Sequence, residues 1–327
     1  MSADRFSPPL LLRSPHVQTF VQAWSGLARP VLPDGEAVRF TAPDGEPLVG
    51  VAHWQPGPRE RAAAALLMHG IEGDCEAPYM RRSAARLLGA GLHVIRLDLR
   101  GCGRGEALTP TLLHGGRSDD VAAVLAALAE DVRHVAALGF SLGGALLLKL
   151  LGERGTVPGL VGAAAISPPL NPAAIQVHLD RTASAPYRRY FLAIMAARLR
   201  RRVRQFPAHL PDRDYRCASM REYDDRVTAP LAGFADADDY YRRADALPLL
   251  PAIATPTLLL HAQDDPLVPF AGFSALARAV HPHVRGEFPR HGGHLGFYDP
   301  RRGPDAHWAE ARAARFLTDA LAAARGA

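Results

Sequence analysis

Short, unbroken apolar runs recur along this chain, and each ends on a small or chemically active residue. Ala62 to Met68 runs into His69-Gly70, His93 to Leu97 into Asp98, Leu160 to Ile166 into Ser167, and Thr257 to His261 into a segment holding Asp264 and Asp265. Runs of strand length without alternation are the pattern of strands buried on both faces of a parallel sheet. Stretches with helical spacing lie between them: Tyr79 to Leu88, stopped by Gly89 and Gly91; Ser118 to Leu128, with Ser118 as the expected N-cap; and about Ala306 to Ala324. Asp119 and Asp120 in a first turn suit the helix dipole, and glycines suit a C-terminal stop. A helix is also expected over Phe270 to Val280 and a strand over Val284 to Phe288. Upstream, Val38–Thr41 and Leu48–Ala52 flank Pro43-Asp44-Gly45 and read as a hairpin, while Ser14 and Pro15 open a short helix. Strand and helix in turn predict an α/β fold with a mostly parallel sheet covered on both faces.

The alternation stops at Asn171 and resumes at Thr257. The stretch 171–250 shows no strand signal and reads as a helical insertion, a cap over the strand tips. On this reading 1–170 and 251–327 are the N-terminal and C-terminal parts of one core. The insertion carries Arg198, Arg200, Arg201, Arg202 and Arg204. Such a run is first expected to be a solvated helix face; the sharper reading is transient contact with an anionic membrane surface. No nucleic-acid motif accompanies it.

The chemistry centres on residues 134–148. An apolar run from His134 meets Gly139-Phe140-Ser141-Leu142-Gly143 and continues as a helix-forming run of Ala and Leu. Strand, tight Gly-x-Ser-x-Gly turn and helix form the context of a nucleophile elbow, in which Ser141 is presented at a strand tip beside a helix N-terminus. A serine hydroxyl needs a base, and an acid and a histidine follow in the expected chain order. The acid is Asp264 or Asp265, each at the end of a strand. The preferred base is His294, between Gly293 and Leu295 on a loop with room for an imidazole; His291 competes. His281, His283, His291 and His294 have no defined metal-ligand spacing, so no metal is expected. The glycines in Arg100-Gly101-Cys102-Gly103-Arg104-Gly105 do not fit a dinucleotide or P-loop spacing, and no cofactor is implied. Cys102 is read as small packing, His16 as packing or capping, and the His69 side chain as loop scaffolding.

Composition changes this picture little. The chain has 327 residues, 48% of them hydrophobic, a length that suits a single α/β unit with an insertion. The formal net charge is +5, with Lys149 the single lysine, and it names no partner. Three cysteines, Cys75, Cys102 and Cys217, argue against a disulfide framework. Leu10-Leu11-Leu12 is too short for the core of a signal peptide and no run approaches a membrane span, so a cytoplasmic location is expected. Oligomeric state is unreadable from the chain.

Several segments spread over nearly the whole chain carry a resemblance. They are Ser14-Pro15-His16-Val17-Gln18-Thr19, His69-Gly70-Ile71-Glu72-Gly73, Arg100-Gly101-Cys102, Gly139 to Gly144, Tyr223-Asp224-Asp225 with Asp238-Asp239-Tyr240-Tyr241, Asp264-Asp265-Pro266 and Gly292 to Phe297. Together they resemble the α/β-hydrolase superfamily, and within it the YheT-like branch, similar to the embryogenesis-associated hydrolases of plants. The resemblance implies hydrolysis of carboxylic esters with short to medium acyl chains by Ser141, Asp265 and His294. Asp265 is preferred over Asp264 because an Asp with Pro four positions on is usual at this strand end in such hydrolases. His69-Gly70-Ile71 resembles their first oxyanion loop, so the N–H groups of Ile71 and Leu142 are the expected oxyanion hole. Some relatives transfer the acyl group to an alcohol, and the branch lies close to lipases acting on monoacylglycerol or phospholipid. One departure is Asp98, where Asn is expected.

Overall fold

The computed structural model describes residues 6–24, 30–211, 214–278 and 281–326. Its centre is an eight-stranded sheet: β1 (Glu36–Thr41), β2 (Pro47–His53), β3 (Ala64–Met68), β4 (His93–Asp98), β5 (Val135–Phe140), β6 (Leu160–Ile166), β7 (Thr257–Leu260) and β8 (Val284–Glu287). The spatial order is β1-β2-β4-β3-β5-β6-β7-β8. The hairpin pairs β1 with β2 antiparallel, β2 pairs antiparallel with β4, and every pairing from β4 to β8 is parallel.

From β3 the chain moves outward to β4, then returns to place β5 on the other side of β3. The direction of strand addition therefore reverses between β3 and β5. In open parallel sheets, ligands bind at the carboxyl ends of strands where this reversal opens a crevice. Met68 lies opposite Gly139, Phe140 opposite Ile166, Ile166 opposite Leu260 and Leu260 opposite Glu287. The strand ends are thus level, and the loops that follow emerge along one rim.

Side chains of β5 alternate between two cores, as the strand period requires. Val135 and Ala137 join a cluster with Leu146, Leu150 and Leu259, while Ala136, Leu138 and Phe140 join a second with Met80, Leu87 and Leu317. Of the expected helices α1 (Pro15–Trp24), α2 (Pro78–Gly89), α3 (Ser118–Asp131) and α4 (Leu142–Arg154), the last three cover these faces and α1 packs on α2. Ser118 is the first helical residue of α3 rather than its cap. Arg117 occupies the cap position, and the Ser118 hydroxyl instead donates to Glu153 on α4 at 2.6 Å.

The insertion between β6 and β7 consists of α5 (Pro172–Asp180), α6 (Ala185–Gln205), α7 (Met220–Tyr223), α8 (Ala229–Ala232) and α9 (Ala237–Ala244), with its own small cluster around Leu199, Tyr223 and Val227. Its arginine run is not a uniformly solvated face. Arg200 and Arg204 are exposed, but Arg202 is 1% exposed. Its guanidinium donates to the carbonyls of Gly101 (3.2 Å), Glu106 (3.1 Å), Thr109 (2.5 Å) and Thr111 (3.0 Å). Arg198 donates to Glu72 at 3.2 Å and to Gly101 O at 2.5 Å. Polar spacing could not reveal this, because the acceptors are the Glu72 carboxylate and backbone carbonyls of a loop, 91 to 126 residues earlier.

The expected helix over Phe270 to Val280 is a 3-10 turn at Phe270–Phe273 followed by isolated turns, and Val280 lies outside the described residues. Phe270 and Phe273 turn their rings onto Phe288 and His261. The last helix, α10 (Trp308–Gly326), packs on α2 and β6. No helix among the described residues is long and apolar enough to cross a membrane.

A buried ion pair ties α2 to α10: Arg82 donates to Glu310 at 2.9 Å and 2.5 Å, with both side chains under 10% exposed. Removing one partner strands the other charge in a medium that solvates it poorly. Glu310→Ala is expected to lower the unfolding free energy by about 3–5 kcal/mol in a urea titration, and Arg82→Met/Glu310→Leu to recover most of it.

Candidate active site

Ser141 joins β5 to α4 at a backbone conformation that non-glycine residues rarely adopt, φ 47° and ψ −119°. Such a residue costs roughly 1–3 kcal/mol and persists only where its surroundings hold it. Here the Ser141 N–H donates to Ile166 O at 2.8 Å and its carbonyl accepts the Ala145 N–H at 3.0 Å. Two glycines make the turn sterically feasible. A Cβ on Gly139 would sit 2.5 Å from Gly143 O, and one on Gly143 would sit 2.6 Å from His69 O. The elbow and the His69 loop thus cross backbone on backbone.

The imidazole in reach of Ser141 is that of His294, with Nε2 3.0 Å from Oγ. On its other side Nδ1 lies 2.8 Å from Asp265 Oδ2. An ionised carboxylate only accepts, so Nδ1 carries the proton and Nε2 presents its lone pair to the hydroxyl. Burial pushes the Asp265 carboxyl up, but His294, the nearby His261 and the Val268 N–H outweigh it and hold the carboxyl below its ordinary range. Its other oxygen accepts from the N–H groups of Leu267 (2.8 Å) and Val268 (3.0 Å). His261, 3.9 Å from Asp265, is driven down to about 4 by burial and stays neutral. A serine so paired can lose its proton as it attacks an electrophilic carbon.

The two alternatives meet each other. Asp264 lies 3.2 Å from His291 Nδ1 and accepts the Gly293 N–H at 3.0 Å. Asp264 thus braces the loop that carries His294. That loop is itself strained: Gly293, Leu295 and Phe297 have φ of 56°, 63° and 42°. Phe297 is anchored by full burial against Phe6 and Trp308. The Leu295 N–H reaches Ser167 Oγ at 3.3 Å, a contact whose one sequence signal was the position of Ser167 at a strand end.

Ile71 follows Gly70, whose own Cβ, were it present, would lie 3.6 Å from Ser141 Oγ. His69 is buried and accepts the Leu99 N–H on Nε2 at 2.9 Å, so its protonated Nδ1 donates to Gly70 O at 2.7 Å. Burial depresses its basicity and keeps it neutral. In a trans peptide the carbonyl and the next N–H point in opposite directions. By holding Gly70 O, His69 therefore orients the Ile71 N–H. Leu142 is the first residue of α4, where the helix dipole favours negative charge. Neither N–H has an acceptor among the described residues. Asp98, the departure from the expected Asn, accepts from Cys75 N (2.7 Å) and Arg104 N (3.2 Å) and shapes the adjoining loop. Burial pushes the Cys102 thiol up to about 11, which leaves it un-ionised.

The chain matches the family model described as alpha/beta hydrolase fold over residues 66–300. It is 32% identical over 294 residues to the Escherichia coli protein named "Putative esterase YheT", covering 87% of this chain and 85% of that one. It is 26% identical over 266 residues to a monoacylglycerol lipase of Saccharomyces cerevisiae, covering 77% of this chain but 58% of the yeast protein. Among solved structures, the Pyrococcus furiosus esterase Pf2001 superposes with a TM-score of 0.58 at 18% identity, covering 90% of this chain and 96% of that one; this likeness concerns the fold.

If Asp265 fixes the histidine tautomer, Asp265→Asn should slow phosphonylation of Ser141 by a fluorophosphonate by about 10⁴-fold. His291→Ala, which leaves the Ser141 partner untouched, should slow it less than about tenfold. Labelling rates followed by intact-protein mass spectrometry check both.

Proposed function

This chain belongs to the α/β-hydrolase family, in its YheT-like branch, and on that premise we propose that it hydrolyses carboxylic esters of short to medium acyl chains with Ser141, Asp265 and His294 as catalytic triad. The observation that carries the reading is the contiguous pair of contacts from Ser141 Oγ to His294 Nε2 at 3.0 Å and from His294 Nδ1 to Asp265 at 2.8 Å.

In the first half-reaction Ser141 Oγ bonds to the ester carbonyl carbon while its proton passes to His294 Nε2. The carbonyl oxygen becomes an oxyanion facing the Ile71 and Leu142 N–H groups, our proposed oxyanion hole. Donors already in place when charge develops stabilise it without reorganisation. Collapse breaks the bond to the leaving oxygen, which takes the proton from His294. Water then gives a proton to His294 and attacks the acyl-enzyme, and collapse of the second oxyanion returns that proton to Ser141 and frees the acid. Asp265 stays ionised throughout and offsets the transient imidazolium charge.

We assign residues 171–250 as the cap and the space beneath α6 as the acyl side. A small cavity of about 50 Å³ lies there, lined in part by Ile71, Leu113, Met195, Leu199 and Tyr223. Ile71, Leu113, Met195 and Leu199 give it an apolar wall, with Glu72, Arg198 and Arg202 also in its lining, and we assign that apolar wall to a short or medium acyl chain. The likeness to the yeast monoacylglycerol lipase supports a second reading, in which the ester is an acylglycerol.

Purified protein is expected to cleave p-nitrophenyl butyrate and octanoate faster than the palmitate ester. Ser141→Ala should lower kcat by about a million-fold. Turnover that survives this substitution would refute the assignment.

A further inference from the structure

The segment Ser14 to Phe20 has no part in the chemistry above, yet α1 lies against the loop that carries His294. A Cβ on Gly293 would overlap Pro15 O, and one on Gly296 would overlap Gln18 O. Gln18 is fully buried. Its amide donates to Leu12 O at 2.7 Å and Tyr298 O at 3.0 Å, and its carbonyl oxygen accepts the Tyr298 N–H at 2.8 Å. Thr19 makes the most direct contact: its Oγ1 donates to Pro15 O at 2.7 Å and accepts the backbone N–H of His294 itself at 3.0 Å.

Three consecutive N–H groups of the loop are thereby held by side chains from three different elements. Gly293 is held by Asp264 beyond β7, His294 by Thr19 on α1, and Leu295 by Ser167 beyond β6. Only the contact on His294 comes from outside the sheet rim. The loop has positive φ on both sides of His294, at Gly293 and Leu295, so its backbone has no regular structure of its own to keep it in place. On its far side α1 meets the insertion, where His16 Nδ1 lies 2.7 Å from the Tyr187 hydroxyl and Phe20 stacks on the Tyr187 ring at 6.3 Å.

We propose that α1 is part of the catalytic apparatus and that Thr19 is a positioning residue: by accepting the His294 N–H it sets the height of the imidazole above Ser141. The proposal rests on the reading of His294 as the base. Val matches the shape of Thr but removes the acceptor, whereas Ser keeps it. The N–H of His294 would then lose its partner, and the hydroxyl's bond to Pro15 O within α1 would go with it, while the Gln18 contacts to Leu12 and Tyr298 remain.

Thr19→Val is expected to lower kcat by about 10- to 100-fold, since an ångström of misplacement can cost that much, with KM and Tm close to those of the parent protein. Thr19→Ser should restore kcat to within about threefold, because the hydroxyl is what counts. Thr19→Ala removes the hydroxyl without the second methyl and serves should the valine variant not fold. The same variants are to be assayed across pH beside Ser141→Ala. Folded Thr19→Val or Thr19→Ala with parental kcat, while Ser141→Ala is dead, overturns this inference alone. A loss in Thr19→Ser as large as in Thr19→Val, or a loss that follows a fall in Tm, overturns it too. Activity surviving in Ser141→Ala refutes the underlying assignment and this proposal with it.

Discussion

A single hydrogen bond joins Ser141 to His294 across 153 positions of chain, and the rest of the molecule can be read as the means of keeping it at 3.0 Å. Neither partner sits on regular backbone. Ser141 is the strained residue of a strand-to-helix turn, and His294 is flanked by positive-φ residues in a loop. Strain of this kind is stable only when neighbouring groups over-determine the geometry. On the serine side that is done by backbone crossing backbone at Gly139, Gly143 and His69. On the histidine side it is done by side chains converging on successive N–H groups.

The parallel sheet makes such convergence cheap in conformational terms. Level strand ends bring Met68, Phe140, Ile166 and Leu260 to one rim, so the residues that follow them are neighbours without any long loop. The reversal of strand order between β3 and β5 opens the space beside Ser141. Helices packed on both faces leave that rim as the part of the sheet open to further elements.

Burial sets the protonation states as much as charge does. Low-dielectric surroundings disfavour the charged form of any group, so His69 and His261 stay neutral and serve as hydrogen-bonding scaffolds. Asp265 is equally buried but remains ionised, because the donors and imidazoles around it outweigh the desolvation. Two buried histidines thus serve as scaffolds while the half-buried His294 faces Ser141, according to what faces each ring nitrogen. The insertion follows the same logic. Arg202 is tolerated in the interior because four carbonyls meet its guanidinium, and Arg198 is balanced by Glu72.

The apolar runs by themselves determined the strands and their parallel order, since a strand covered on both faces must read as continuous hydrophobic sequence. The elbow was equally legible: its glycines and serine are contiguous, and the turn needs those residue types at that spacing. Other features were legible only in part. The chain offered two acids and two histidines, with Asp265 and His294 preferred; the path of the backbone after β7 and β8 is what brings Asp265 to His294 and Asp264 to His291. Local patterns misled where a distant partner intervened. Ser118 turned to Glu153 instead of capping, the segment after Phe270 gave its aromatics to His261 and Phe288, and two of the five arginines, Arg198 and Arg202, turned inward. Thr19 and Gln18 belong to a segment that carries the family resemblance, but nothing local shows their contacts with residues 275 and 280 positions away. Short-range periodicity reports which face of an element is apolar, whereas a hydrogen bond across the fold depends on where the remainder of the chain has been brought.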